Sequence, residues 1–293
     1  MTVYDLGNWL NTASFYMVAG TGTAISIKSG HFNLGGEGQI YAGGFTAAVI
    51  LAGMQGVPPF IAAASAILLG SALPALLCFI SALLEKYKNA SFLLTSFIIS
   101  SAVIPLINGL ISGPFRGSSG NLLATPFIDR AFRFGSILKP SSLNISFFIA
   151  LGVCLAGWLF LYKSQTGKKI CIYGISREFA LYSGFSEKTI TFTSTALSGA
   201  LHGLCGSFII LGTYYTCHQG FYLGIGWTSL SAAMLAMSNP LLVIPSSLFL
   251  AAITAWTTSF TLHHNTGFDL ASIVQAVIMF TISIPLFRRK KCS

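Results

Sequence analysis

The chain has 293 residues, 54% of them hydrophobic and only 8% charged, with a net charge of +9. Soluble domains carry roughly 25% charged residues, so the composition excludes a water-covered globular surface and predicts an integral membrane protein. The basic excess lies in short loops and the tail rather than along one face, which is the pattern of topology signals and not of a nucleic-acid patch.

Asp5 and no basic residue precede the first apolar run, so no cleavable signal peptide is expected. Apolar runs of about 20 residues span a bilayer as helices. About nine are read here, at 9–27, 36–54, 58–83, 91–111, 144–162, 191–213, 223–238, 241–260 and 269–287, with the first, second and seventh interrupted by Gly or polar residues. The expected fold is therefore an all-α polytopic transmembrane bundle, one domain over 1–293. Gly56-Val57-Pro58-Pro59 and Asn239-Pro240 mark turns, because proline cannot continue the preceding hydrogen-bond ladder.

Lys and Arg set the orientation. The segments 85–90 and 163–190 and the tail Arg288-Arg289-Lys290-Lys291 are predicted to be cytoplasmic, which puts the N-terminus outside, the C-terminus inside and Lys28 on the cytoplasmic side. The tail suits topology or contact with anionic lipid. Arg116, Arg130, Arg133 and Lys139 share one long outer segment, 112–143, expected to form a partly structured external cap. Cys78, Cys154 and Cys205 sit in apolar runs as buried hydrophobes, and Cys217 faces outside without an evident partner.

The densest cluster of unusual residues is Gly30–Gly44, where five glycines follow Leu34 and one carboxylate, Glu37, opens an apolar run. Charge and broken backbone at membrane depth are tolerated only inside protein or beside a water-filled cavity, so this stretch is expected to line a path. Phe32-Asn33-Leu34-Gly35 before segment two is echoed by Phe221-Tyr222-Leu223-Gly224 before segment seven, each followed by small residues, a proline turn and further helices. Inverted repeats with a Gly-interrupted helix at matching places point to a transport site between the halves.

The run Gly30-His31-Phe32-Asn33-Leu34-Gly35-Gly36-Glu37-Gly38-Gln39 resembles the GLFNIGGEGQ signature of ABC importer permeases of the branched-chain amino acid and simple-sugar superfamily. It is most similar to the branch that takes up nucleosides with a basic membrane lipoprotein as receptor. Gly174–Phe185 resembles the family's GLNPEAARYAGI loop, where the permease docks on its ATPase. It departs from that loop with Arg177 in place of proline and with Phe179 and Leu181 in place of Ala and Arg. Leu197–Gly206, Gly224-Ile225-Gly226 and Asn239-Pro240-Leu241 are similar to further family elements.

The resemblance implies a permease subunit in the bacterial inner membrane, working by alternating access. It would pair with itself or a sister permease, with an ABC ATPase that holds the ATP and Mg, and with an extracytoplasmic substrate-binding lipoprotein. The chain has no Gly-x-x-x-x-Gly-Lys of its own and no nucleophile–base constellation, so it is not expected to be an enzyme or to bind a cofactor. Metal or proton roles are not expected of His31, His202, His218, His263 or His264, which lack ligand spacing.

Candidate translocation residues are Asn33, Gly35, Gly36, Glu37, Gln39, Gly226, Trp227 and Ser229. Glu37 could contact ligand or cap the start of segment two, where a helix N-terminus favours negative charge. Asn33 and Gln39 are amides beside the same helix start, and Trp227 could stack on a flat ligand or face lipid. Gly199 and Gly203 suit helix packing. Candidate ATPase-coupling residues are Arg177, Glu178, Phe179, Ala180, Tyr182, Gly184 and Phe185, with Phe179, Tyr182 and Phe185 three apart as an apolar stripe.

The resemblance implies a nucleoside as solute, with riboflavin or a simple sugar as alternatives, and a path with few charges suits a neutral, planar, hydroxylated compound. An ion-coupled secondary transporter is the rival reading. It would require more intramembrane acids or histidines than Glu37 supplies.

Overall fold

The computed structural model describes residues 2–118 and 122–264, and the short stretches 273–274, 276–277 and 280–281. The predicted ninth segment otherwise lies outside the described residues, as does the basic tail. The helices are α1 (Val3–Lys28), α2 (Gly36–Gly53), α3 (Pro59–Lys88), α4 (Phe92–Ser112), α5 (Ser146–Lys163), α6 (Gln165–Ile175), α7 (Arg177–Tyr182), α8 (Glu187–Ile209), α9 (Ile225–Leu235) and α10 (Pro240–His264). Among the described residues the one strand-like feature is an isolated antiparallel bridge between Ala124 and His218.

Burial runs inside out. Helix α3 hides a stripe of small residues (Ala62, Ala66, Gly70, Pro74, Cys78, Ala82) and exposes Phe60, Leu68, Leu69 and Leu76. In water this would cost the apolar face its burial. In a bilayer, lipid covers large side chains and small residues let backbones approach. The stripe packs on α8, where a Cβ added to Gly203 would lie 2.8 Å from the Pro74 ring. Five helices among the described residues are long and apolar enough to cross a membrane: α3, α4, α5, α8 with its continuation to Tyr214, and α10 to Thr261.

Helix α1 is not interrupted as expected but runs unbroken for 26 residues. Thr2 and Asp5 cap its start reciprocally. Its polar residues are answered by partners: the Asn11 amide donates to Ser142 Oγ at 3.1 Å and Thr213 Oγ1 at 3.0 Å, and Trp9 Nε1 donates to the Leu248 carbonyl at 2.8 Å. From Ala13 to Ser26 it is almost wholly enclosed, by α5, α8, α9 and α10. Helix α9 is shorter than the predicted 223–238. Its 11 residues reach roughly 17 Å, about half a bilayer core. Left-handed Met237 and Ser238 end it before Pro240 opens α10.

The loops sort to two ends. Lys28 borders Ser29–His31, which meet Glu85, Lys86, Ser91, Tyr173, Arg177 and Lys188 around one cavity. At the other end the 112–143 segment packs on the chain after α8: Thr125 N–H donates to the Cys217 carbonyl at 3.0 Å, and the Arg133 guanidinium lies 4.7 Å from the Tyr215 ring centre. Asn8 Oδ1 accepts from Ser142, so the start of α1 belongs to that end. The segment 163–190, read as a loop, is mostly helical.

Candidate functional site

The starts of α2 and α9 meet inside the bundle. Gly36 lies against Gly226 so closely that a Cβ on Gly226 would sit 2.5 Å from the Glu37 nitrogen. Glycine is required here because two backbones touch. Within α9, Ile225 and Thr228 give their N–H groups to the carbonyls of Tyr222 and Gly224. Gly226 and Trp227 give theirs to Glu37 Oε1, at 2.8 and 3.2 Å. The expectation that Glu37 caps the start of its own helix is therefore corrected: standing in the first turn of α2, it caps α9. The reason is reach, since the glycine crossing brings another helix's free N–H groups to its carboxylate.

Asn33 and Gln39 sit on the other side of the α2 start, both buried. Asn33 Oδ1 accepts from Gln39 Nε2 and from the Gly35 N–H, each at 2.9 Å, while Asn33 Nδ2 donates to Gln39 Oε1 at 2.9 Å and Ser198 Oγ at 3.0 Å. The two amides brace the loop and face each other. Ser229 is likewise internal, its hydroxyl donating to the Gly226 carbonyl at 2.7 Å. Trp227 is 38% exposed, its ring centre 6.5 Å from that of Phe97. Of the eight candidates, Glu37, Gly36, Gly226 and Trp227 are thus gathered at the crossing. Asn33, Gly35 and Gln39 form the brace beside it.

Sequence reasoning missed Ser96 and Ser100, one turn apart on α4, whose hydroxyls accept from the N–H groups of Leu34 (3.3 Å) and Gly38 (2.8 Å). It also set aside His202, which packs against Gly36. His202 Nδ1 donates to the Ser198 carbonyl at 2.8 Å, and Nε2 lies 3.3 Å from Thr23 Oγ1. A histidine in mid-span was the available signal. An aromatic group was missed too: Tyr41 lies 4.5 Å from Tyr222 and 5.6 Å from Phe221 between ring centres, and its hydroxyl donates to Asn108 Oδ1 at 2.6 Å.

The second candidate surface is α7. Ser176 caps it and Gly184, at φ +75°, turns the chain back after it. Ala180 is buried in a small core with Ile25, Leu161, Ile170, Tyr173 and Ile190. Tyr182 is 93% exposed, Ile175 87% and Phe179 60%. Phe185 does not continue the expected stripe. The turn at Gly184 ends the helical period and leaves Phe185 half-buried on the core, with Lys169 Nζ 5.6 Å from its ring. Leu181 is exposed as well.

Glu187 anchors the helix: Oε1 accepts from Arg177 Nη2 at 2.6 Å and Nε at 2.9 Å, and from the Tyr173 hydroxyl at 2.7 Å. Burial, then the adjacent carboxylate, pushes the Tyr173 phenol up to about 12. The Arg177 guanidinium is raised above its ordinary value by its bond to Glu187.

Residues 6–283 match the family model described as branched-chain amino acid transport system / permease component. The chain belongs to that family. The permease is 32% identical over 275 residues to the "Probable riboflavin import permease protein RfuC" of Treponema pallidum (strain Nichols), covering 92% of this chain and 72% of that protein. It is 23% identical to the guanosine ABC transporter permease protein NupP of Bacillus subtilis (strain 168), over 96% of this chain and 81% of that one. Among solved structures it resembles PsaBC from Streptococcus pneumoniae in complex with Fab, at a TM-score of 0.54 and 19% identity, covering 95% of this chain and 90% of that one. That likeness concerns the fold. The family match, a relative named an ABC transporter permease and the apolar helices together make the chain a multi-pass ABC permease.

Proposed function

We propose that the permease is the membrane subunit of an ATP-driven importer for a neutral, planar, hydroxylated solute. Its path would run past the crossing of α2 and α9. The observation that carries this reading is Glu37 joining the two broken helix starts, on a face where Trp227 and Leu223 remain open. A nine-span inverted repeat would fit that crossing, because α3 and α10 both begin at a proline after the paired helix starts and both contain an inner proline. A second permease would complete the path, and an external receptor lipoprotein would deliver the solute to the end formed by 112–143 and 214–222.

In a bacterial inner membrane the N-terminus would lie outside, since the end holding Lys28, Lys86, Lys88, Lys168, Lys169 and Lys188 carries basic loops of the cytoplasmic kind. An ATPase subunit would hydrolyse ATP and dock on α7, whose exposed apolar residues rest on an inward Ala180. Nucleosides and riboflavin are the solutes to test, and the higher identity to the riboflavin-named relative favours riboflavin first.

The test is reconstitution of the permease with its ATPase and receptor, followed by uptake of labelled riboflavin, guanosine and glucose. ATP-dependent uptake of one planar solute is expected, and uptake without the ATPase would overturn the reading. Phe179→Asp with Tyr182→Asp should reduce uptake at least about 10-fold while membrane insertion is kept. Unchanged uptake would remove α7 as the docking element.

A further inference from the structure

We propose that His31 is the joint through which displacement of α7 reaches the start of α2, an inference that rests on the docking role assigned to α7 above. The contacts are continuous. Arg177, the first residue of α7, holds Glu187 at the first residue of α8, and the Tyr173 hydroxyl holds the same oxygen. The Tyr173 ring lies parallel to that of His31, 4° apart in plane with centres 6.3 Å apart. On another side Phe92 meets His31 edge-on at 5.6 Å.

The polar atoms of His31 are fixed as well. Ser29 Oγ donates to the Ser26 carbonyl at 2.7 Å and lies 2.9 Å from His31 Nδ1, within hydrogen-bond distance. Nε2 faces Glu85 Oε2 at 3.2 Å, and that carboxylate oxygen is buried with no hydrogen bond from elsewhere. One ring therefore touches the end of α1, the end of α3, the start of α4 and α6. Two residues further along the chain, Asn33 takes up the brace that sets Gly35 and Gln39, and Glu37 follows with its hold on α9.

A joint must also be able to move. A cavity of about 510 Å³ opens among Ser29–His31, Glu85, Ser91, Tyr173, Arg177 and Glu187, so one side of His31 borders space rather than packed core. The packed ring contacts on its other sides pass on strain, and the open side leaves the ring room to move with it. Coupling between α7 and the α2 start through His31 would show as non-additive effects in a double-mutant cycle.

The first measurement is hydrogen exchange at Leu34–Gln39 in the purified full-length permease in lipid nanodiscs, comparing wild type, Arg177→Ala, His31→Phe and the combination. His31→Phe keeps an aromatic ring of similar size and drops both polar contacts, and Arg177→Ala removes an exposed pair of small worth. Arg177→Ala should speed exchange at Leu34–Gln39 about threefold, and the combination should exchange no faster than His31→Phe alone. No change in Arg177→Ala, or effects that multiply in the combination, would overturn the joint.

The second measurement uses the complete transporter. His31→Phe should hydrolyse ATP near the wild-type rate while moving at least about 10-fold less solute per ATP. A proportional fall in both would assign the loss to docking and overturn the joint. If wild type shows no ATP-driven uptake, the docking reading fails, while the exchange cycle still decides whether His31 links the two segments.

Discussion

The starts of α2 and α9 form a pair of unlike twins. Each follows a glycine-rich loop, each has glycine at the cap position (Gly35 and Gly224), and neither is capped by its own cap side chain. The N–H groups around the α2 start are answered by neutral groups: Asn33 for Gly35, Ser96 for Leu34, Ser100 for Gly38. Those of α9 are answered by a carboxylate from the other helix. The difference teaches where the charge acts. Glu37 ties the start of α2 to that of α9, with the favourable field of the α9 terminus behind it, whereas the N–H groups at the α2 start are answered by neutral groups from α4 and its own loop.

The comparison can be broken hardest at Glu37. Glu37→Ala leaves two N–H groups of α9 without their acceptor, a cost of about 1–3 kcal/mol each when buried. Uptake by the complete transporter should fall at least about 10-fold, with Glu37→Gln, which keeps an acceptor oxygen, falling less. Equal loss in the two variants would show that the acceptor is not what matters.

A second break uses the crossing itself. Gly226→Ala would place a Cβ 2.5 Å from the Glu37 backbone nitrogen, while Gly36→Ala would place one 3.2 Å from the Gly226 Cα. Gly226→Ala should therefore lower the thermal midpoint of the purified permease more than Gly36→Ala. The reverse order would mean that the crossing has a different register.

The smallest effect is expected on the neutral side. Asn33→Ala removes the hub of the brace and should cost about 1–3 kcal/mol in stability, against about 0.5–1.5 kcal/mol for Ser100→Ala, which deletes one bond. Thermal unfolding in detergent measures both. Neither should change which solute is carried.

Much of this was legible in the sequence. Apolar length located the helices over eight of the nine expected stretches, because hydrophobicity along a chain is a local property and a spanning helix satisfies its own backbone. The glycines and Glu37 were legible for the same reason, as residues that are costly in lipid. The brace partners were not. Asn33 and Gln39 were legible only as amides beside a helix start, and the fold alone shows them turned on each other, while Ser96 and Ser100 carried no pattern beyond two hydroxyls in an apolar run. Helix α1 was under-read because its polar residues break a hydropathy run, although enclosure by four helices makes them harmless. At α7 the periodic stripe was extended through Phe185 past a helix end that Gly184 imposes.

The sequence by itself determined a membrane-embedded helical chain, its family and its two sensitive stretches, because composition and local motifs need no partner to be read. Only the tertiary structure decided that Glu37 serves α9 and not its own helix, and that His31, dismissed for want of ligand spacing, stands between Tyr173, Glu85 and Phe92. A side chain's role depends on which free donor or acceptor lies within about 3 Å of it. Across separations such as that of Glu37 from Gly226, the folded backbone decides that.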